Sequence, residues 1–199
     1  MILSATVRFG KRVPRSFYRR DPREVAPDLL GKILVAADGR AGRIVEVEAY
    51  CGEIDPAAHS YRGKTARNAT MFGPPGHMYV YFTYGMHWCA NAVCGDAGVG
   101  LGVLIRALEP LAGLARMRAA RPRARRDRDL CSGPARLTQA MGITGAHDGI
   151  DLVTGRSGYS LVDDGVEANG VAGARIGISR ATDALWRWYL PDNENVSRR

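Results

Sequence analysis

Lysine is the scarcest charged residue in this 199-residue chain, with 3 Lys against 25 Arg. None of the three lies in the strand-like runs that carry Glu48 or Tyr81, which disfavours chemistry through a lysine Schiff base. The sequence has no apolar run long enough to span a membrane, and the apolar lead over residues 1–7 is too short for a signal-peptide core. A cytoplasmic location is therefore expected. Only four cysteines occur (Cys51, Cys89, Cys94, Cys131), without CxxC spacing and without histidines at zinc-finger spacing. They read as reduced structural thiols, with no metal site and no cofactor expected. The run Arg62-Gly-Lys-Thr-Ala-Arg67 lacks the glycine spacing of a P-loop, so it reads as a phosphate or solvent contact.

What the chain does have is cationic charge, +8 net at neutral pH. Codon usage in a GC-rich genome is the plainer reading of part of the arginine bias. The surplus still favours a polyanionic partner, and arginine makes bidentate phosphate contacts that lysine cannot. Nucleic acid is the leading candidate. A membrane surface has no basic amphipathic helix to support it.

The length suits one domain. Asp21-Pro22 reads as an N-cap and first helical position, opening a helix over 22–30 that Gly31 ends. Residues 32–37 and 43–50 read as strands, and 51–76 as a long loop dense in turn formers. Strand-like runs at 77–84 and 87–93 flank Tyr84-Gly85-Met86 as a hairpin. A further strand is expected at 101–108, a helix at 110–120, a solvated basic loop at 121–128, and a helix from Ser132-Gly-Pro134 to about Met141. Short strands at 159–162 and 174–179 complete an α+β pattern with a mainly antiparallel sheet. Residues 1–13 and 190–199 are expected to be loose.

Side-chain alternation over 43–50 predicts Ile44, Glu46, Glu48 and Tyr50 on one face, the two carboxylates roughly 6–7 Å apart. That separation overlaps the one inverting glycosidases use to admit a water, so hydrolysis of a glycosidic bond with one Glu as general base is a legitimate expectation. A solvated face or an ion pair is the plainer alternative. In the aromatic ribbon 79–84, Tyr79, Tyr81 and Thr83 face one way, Val80 and Phe82 the other. Tyr84, next to Gly85 at the turn, would be an exposed aromatic that a stacked duplex could cover. Arg106, inside an otherwise apolar strand, requires an anion, with Glu48 or Glu46 the natural partner. Asn91, between two alanines, is either a satisfied core amide or a selectivity contact.

Taken together, Leu29-Leu-Gly-Lys-Ile-Leu34, Gly42-Arg-Ile-Val-Glu-Val-Glu-Ala-Tyr50, Asp55-Pro-Ala-Ala-His-Ser60, Arg67-Asn-Ala-Thr-Met-Phe72, Pro75-Gly-His-Met-Tyr-Val-Tyr81, Tyr84-Gly-Met86, Arg106-Ala-Leu-Glu-Pro110 and Leu130-Cys-Ser-Gly-Pro134 closely resemble the alkyladenine (3-methyladenine) DNA glycosylase family. The resemblance runs in order from about residue 14 to 179. It implies a single glycosylase domain with a curved antiparallel sheet, flanking helices and a protruding β-hairpin. It also implies a monomeric, nucleoid-associated, monofunctional enzyme that flips alkylated or deaminated purines out of duplex DNA and hydrolyses their N-glycosidic bonds. In that role Glu48 would activate water, Arg106 would help hold it, Tyr50, His59 and Tyr81 would sandwich the base, and Asn91 would obstruct the amino group of guanine. Tyr84 would fill the gap in the duplex, and Glu46 would be structural. Two alternatives remain open at this level. A non-catalytic nucleic-acid-binding module has no use for Glu48 facing a polyanion. A small nucleoside or sugar hydrolase leaves the charge and Tyr84 unexplained.

Overall fold

The computed structural model describes residues 10–197. In chain order the elements are β1 (Lys11–Arg12), α1 (Arg15–Tyr18), α2 (Pro22–Leu29), β2 (Ile33–Ala36), β3 (Ala41–Tyr50), β4 (Met78–Thr83), β5 (His87–Cys94), β6 (Leu101–Ala112), α3 (Leu114–Ala120), α4 (Arg128–Cys131), α5 (Pro134–Met141), β7 (Tyr159–Asp163), β8 (Val171–Gly173) and β9 (Arg187–Tyr189). The strands form one antiparallel sheet in the order β1-β7-β2-β3-β6-β5-β4, and β9, carrying β8, pairs with the second half of β3. The result is a single α+β domain: a curled, half-barrel sheet with a few helices against it.

Helix α2 starts as its sequence dictates. The Asp21 carboxylate accepts the backbone N–H of Arg23 at 2.8 Å, and Pro22 occupies the first turn, where its missing N–H is harmless. Helix α5 ends at Gly142, whose φ of 74° allows the left-handed closing turn. One face of the sheet carries the core: Ile44, Val47, Val80, Ala90, Ile105 and Leu108 pack with Leu29 of α2 and Leu137 of α5. Residues of the opposite parity (Tyr79, Tyr81, Asn91, Leu104) face a cavity.

The alternation on β3 is interrupted, which corrects one expectation. Register runs from Ile44↔Leu108 to Glu46↔Ala107 to Val47↔Ile105, so Val45 and Arg106 are each skipped. This pair of bulges sends Ile44 and Leu108 into the core, while Glu46, Glu48 and Tyr50 remain on the other face. Ile44 therefore does not share a face with the carboxylates.

Other expectations shift too. The helix foreseen from residue 110 begins at Leu114, because 110–112 extend β6 along β3 and Gly113, at φ 73°, breaks the strand. Residues 174–179 form no strand; they are a turn-rich crossing between β8 and β9. The basic run 121–128 is tied down by ion pairs, Arg118 to Asp127 at 2.7 Å, Arg126 to Asp129 at 3.1 Å and Arg128 to Glu194 at 3.2 Å.

The termini are not loose within the described residues. Lys11–Arg12 pair with β7, Leu190 N–H donates to the Val45 carbonyl at 3.0 Å, and Asn195 and Val196 are buried. Residues 1–9 and 198–199, with the expectation for the apolar lead, lie outside the described residues. All four cysteines are free and buried, and among the described residues no helix is long and apolar enough to cross a membrane.

Candidate active site

The cavity holds about 480 Å³, enough for a flat heterocycle, and opens between the β4–β5 hairpin and the 174–180 crossing. Tyr50, His59, Tyr81, Asn91, Tyr84 and Arg106 all line it. Glu48 does not reach the lining. It is wholly buried just beneath, covered by Tyr50 and Arg106.

Three donors hold the Glu48 carboxylate. Arg106 Nη1 lies 3.1 Å and Ile176 N 2.7 Å from Oε1, while the Tyr50 hydroxyl donates to Oε2 at 2.9 Å. A carboxylate has about four acceptor positions, so one on Oε2 is left over. Glu46 is bound differently. Arg106 Nε at 3.1 Å and Arg187 Nε at 2.7 Å reach its Oε1, and the Ser197 N–H reaches Oε2 at 2.8 Å. Burial raises its pKa, but the Arg106 charge and the Ser197 N–H outweigh burial and hold it below the usual range. Arg106 thus bridges both carboxylates, each of the two partners the sequence offered.

The aromatic wall follows from strand parity. Tyr79 and Tyr81 stack with ring centroids 5.5 Å apart and planes 26° off parallel, and His59 meets Tyr81 edge-on at 4.4 Å. His59 Nδ1 lies 3.2 Å from the Tyr79 hydroxyl. Burial first, then the Arg67 charge, lowers the His59 pKa, so the imidazole is neutral at physiological pH. Burial pushes the Tyr79 phenol up to about 12. Burial, then the Glu48 charge, raises Tyr50, so it stays a donor. Asn91 is buried and donates to the Tyr79 carbonyl at 3.2 Å, leaving its carbonyl end available to the cavity. Arg67 ties the 51–76 loop to the hairpin through the Phe82 carbonyl at 2.8 Å.

At the hairpin tip Tyr84 is 79% exposed, with Met86 exposed beside it. Tyr84 and Gly85 have φ of 50° and 67° and Met86 N–H closes on the Thr83 carbonyl, so both central residues of the turn are left-handed.

Four groups around the carboxylates had escaped the sequence reading. Arg175, Ile176, Arg187 and Ser197 come from regions with no obvious pattern, and they converge only because β9 lies along β3. For the first three the arginines themselves, Arg175 and Arg187, were the one available signal; Ser197 had none.

Residues 16–194 match the family model of methylpurine-DNA glycosylases (MPG). A protein of Burkholderia cenocepacia (strain HI2424) named "Putative 3-methyladenine DNA glycosylase" is 69% identical over 190 residues, 94% of this chain and 92% of its own. A relative with the same name from Rhodopseudomonas palustris (strain BisB18) is 49% identical, covering 98% of this chain and 96% of its own. The class is thus a DNA glycosylase, a hydrolase acting on N-glycosyl bonds, which sets aside the non-catalytic alternative. More particularly, the chain belongs to the methylpurine-DNA glycosylase family.

Proposed function

We propose that the protein flips an alkylated or deaminated purine, of the 3-methyladenine kind, out of duplex DNA and hydrolyses its N-glycosidic bond with Glu48 as the base that activates water. The carrying observation is a buried carboxylate with one acceptor position left, lying under an aromatic cavity beside Arg106. Flipping costs a few kcal/mol and is cheapest for damaged or poorly paired bases. Stacking against Tyr50 and the Tyr81–His59 wall returns about 1–3 kcal/mol per aromatic contact. A cationic alkylated purine gains further from electron-rich phenols, and a neutral His59 adds no repulsion to it. Such a base already leaves readily, so deprotonating water is the main task left to the protein. For a cationic alkylated purine the oxygen of water bonds to the anomeric carbon, one water proton passes to Glu48, and the bond electrons leave with the purine and neutralise its charge. Tyr84 fills the vacated stack, and Asn91 narrows the pocket against the exocyclic amino group of guanine. The enzyme acts on duplex DNA as a monomer.

The test is abasic-site formation on duplexes carrying one defined lesion each. Glu48→Gln should lower the single-turnover rate about 1,000-fold, general-base loss alone being worth about 10²–10⁴, with lesion binding intact or tighter. Turnover near the wild-type rate would sink the assignment.

A further inference from the structure

Arg175 is as deeply buried as any charged group in the protein, and it belongs to none of the roles above. Its Nη1 and Nη2 grip Asp55 at 2.6 and 2.8 Å, both side chains being fully covered, and Nη1 also donates to the Ala49 carbonyl at 3.0 Å. The guanidinium carbon lies over two rings, 4.8 Å from the Tyr50 centroid and 5.0 Å from that of Trp186. The next residue along the chain, Ile176, gives its N–H to Glu48, and Ile176, Ile178 and Arg180 line the cavity.

We infer that the Asp55–Arg175 pair is a positioning device for the reaction, resting on the reading of Glu48 as base. It fixes the ring of Tyr50 from behind and sets the Ile176 N–H on the carboxylate. One side chain thereby couples the stacking surface to the base that must act on the stacked substrate. An ion pair so completely dehydrated is a poor choice for stability alone, since well-packed apolar residues of similar volume are often as good or better. Among the described residues its Nε is moreover buried without a hydrogen-bond partner, an expense a simple staple has no reason to carry. Arginine is needed here because its planar fork can grip a carboxylate with two N–H groups while its cationic carbon lies over aromatic rings.

Two variants that keep the buried volume test this, Arg175→Lys and Asp55→Asn, with Glu48→Gln as reference. Base release is measured in single turnover at saturating enzyme, well below each variant's melting temperature, alongside affinity for undamaged duplex. The saturating rate should fall at least about tenfold in both, because small misplacements of reacting groups are costly, while undamaged-duplex affinity stays within about twofold. Lysine restores charge without the fork, so it should fail to rescue. A lowered melting temperature with a wild-type saturating rate would mark a mere staple and overturn the inference. If both variants fail to fold, Trp186→Leu removes one of the two rings against the guanidinium and should slow the saturating step about threefold; an unchanged rate there overturns the inference as well. An active Glu48→Gln would instead bring down the parent reading, whereas an inactive Glu48→Gln beside fully active Arg175→Lys and Asp55→Asn would bring down only the positioning role.

Discussion

Glu46 and Glu48 differ by two positions in sequence and look interchangeable there, yet their surroundings divide them. Glu46 is held by two arginines and a backbone N–H, whereas Glu48 is held by one arginine, a backbone N–H and the hydroxyl of Tyr50, a residue that lines the cavity. Tyr50→Phe should therefore preserve the stacking ring but leave a buried carboxylate short of a donor, lowering stability by about 1–3 kcal/mol in urea denaturation. His59 predicts a pH effect. Its folded-state pKa lies below the ordinary imidazole value of 6.5, so its contribution to stability is complete above that value and is lost as pH falls through and below it. Replacing it, as in His59→Phe, should flatten the fall in unfolding free energy between pH 7 and pH 5; an equally steep fall would show that other groups govern it. Residue types and parity made Glu48, Tyr50, Tyr81 and Asn91 legible as a set. Arg106 was legible as their ion-pair partner, but the backbone donors to the carboxylates were not, because Ile176 and Ser197 act through N–H groups that every sequence possesses.

At the scale of elements, local signals read well and long-range pairings did not. Asp21-Pro22 set the start of α2, and period-two aromatics set β4. The bulges at Val45 and Arg106 are invisible in either strand alone, since each exists only relative to the other. The same holds for the segment after β9, taken from sequence to be loose and found capping Glu46. Ser197→Pro deletes the N–H that Glu46 accepts, and should cost about 1–3 kcal/mol of stability, read as a lower thermal midpoint. On the hairpin, Tyr84→Ala should weaken lesion-duplex affinity about tenfold, stacking of this kind being worth about 1–3 kcal/mol, with little change for undamaged duplex. Equal affinities for both duplexes before and after would remove Tyr84 from the flipping step.

For the whole molecule, the charges buried beneath the cavity form a balanced set: Glu46, Glu48 and Asp55 against Arg106, Arg175 and Arg187. The net +8 therefore resides on groups outside this cluster, where it can meet phosphate. Binding to duplex DNA should weaken steeply with salt, log affinity falling linearly with log salt at a slope of about −0.9 per phosphate neutralised. A flat response would argue against the duplex as partner.

The turn at Tyr84 has an evolutionary corollary. A tyrosine at φ 50° sits in backbone space that costs a non-glycine residue about 1 kcal/mol or more, and its ring is left facing solvent. Glycine or asparagine there would relax the hairpin. Selection for heat resistance alone should therefore recruit changes at this position early, and the resulting proteins would be sturdier but slower to find damage. Variants collected from such a screen would map, by what they lose, the backbone strain that the proposed wedge role of Tyr84 requires.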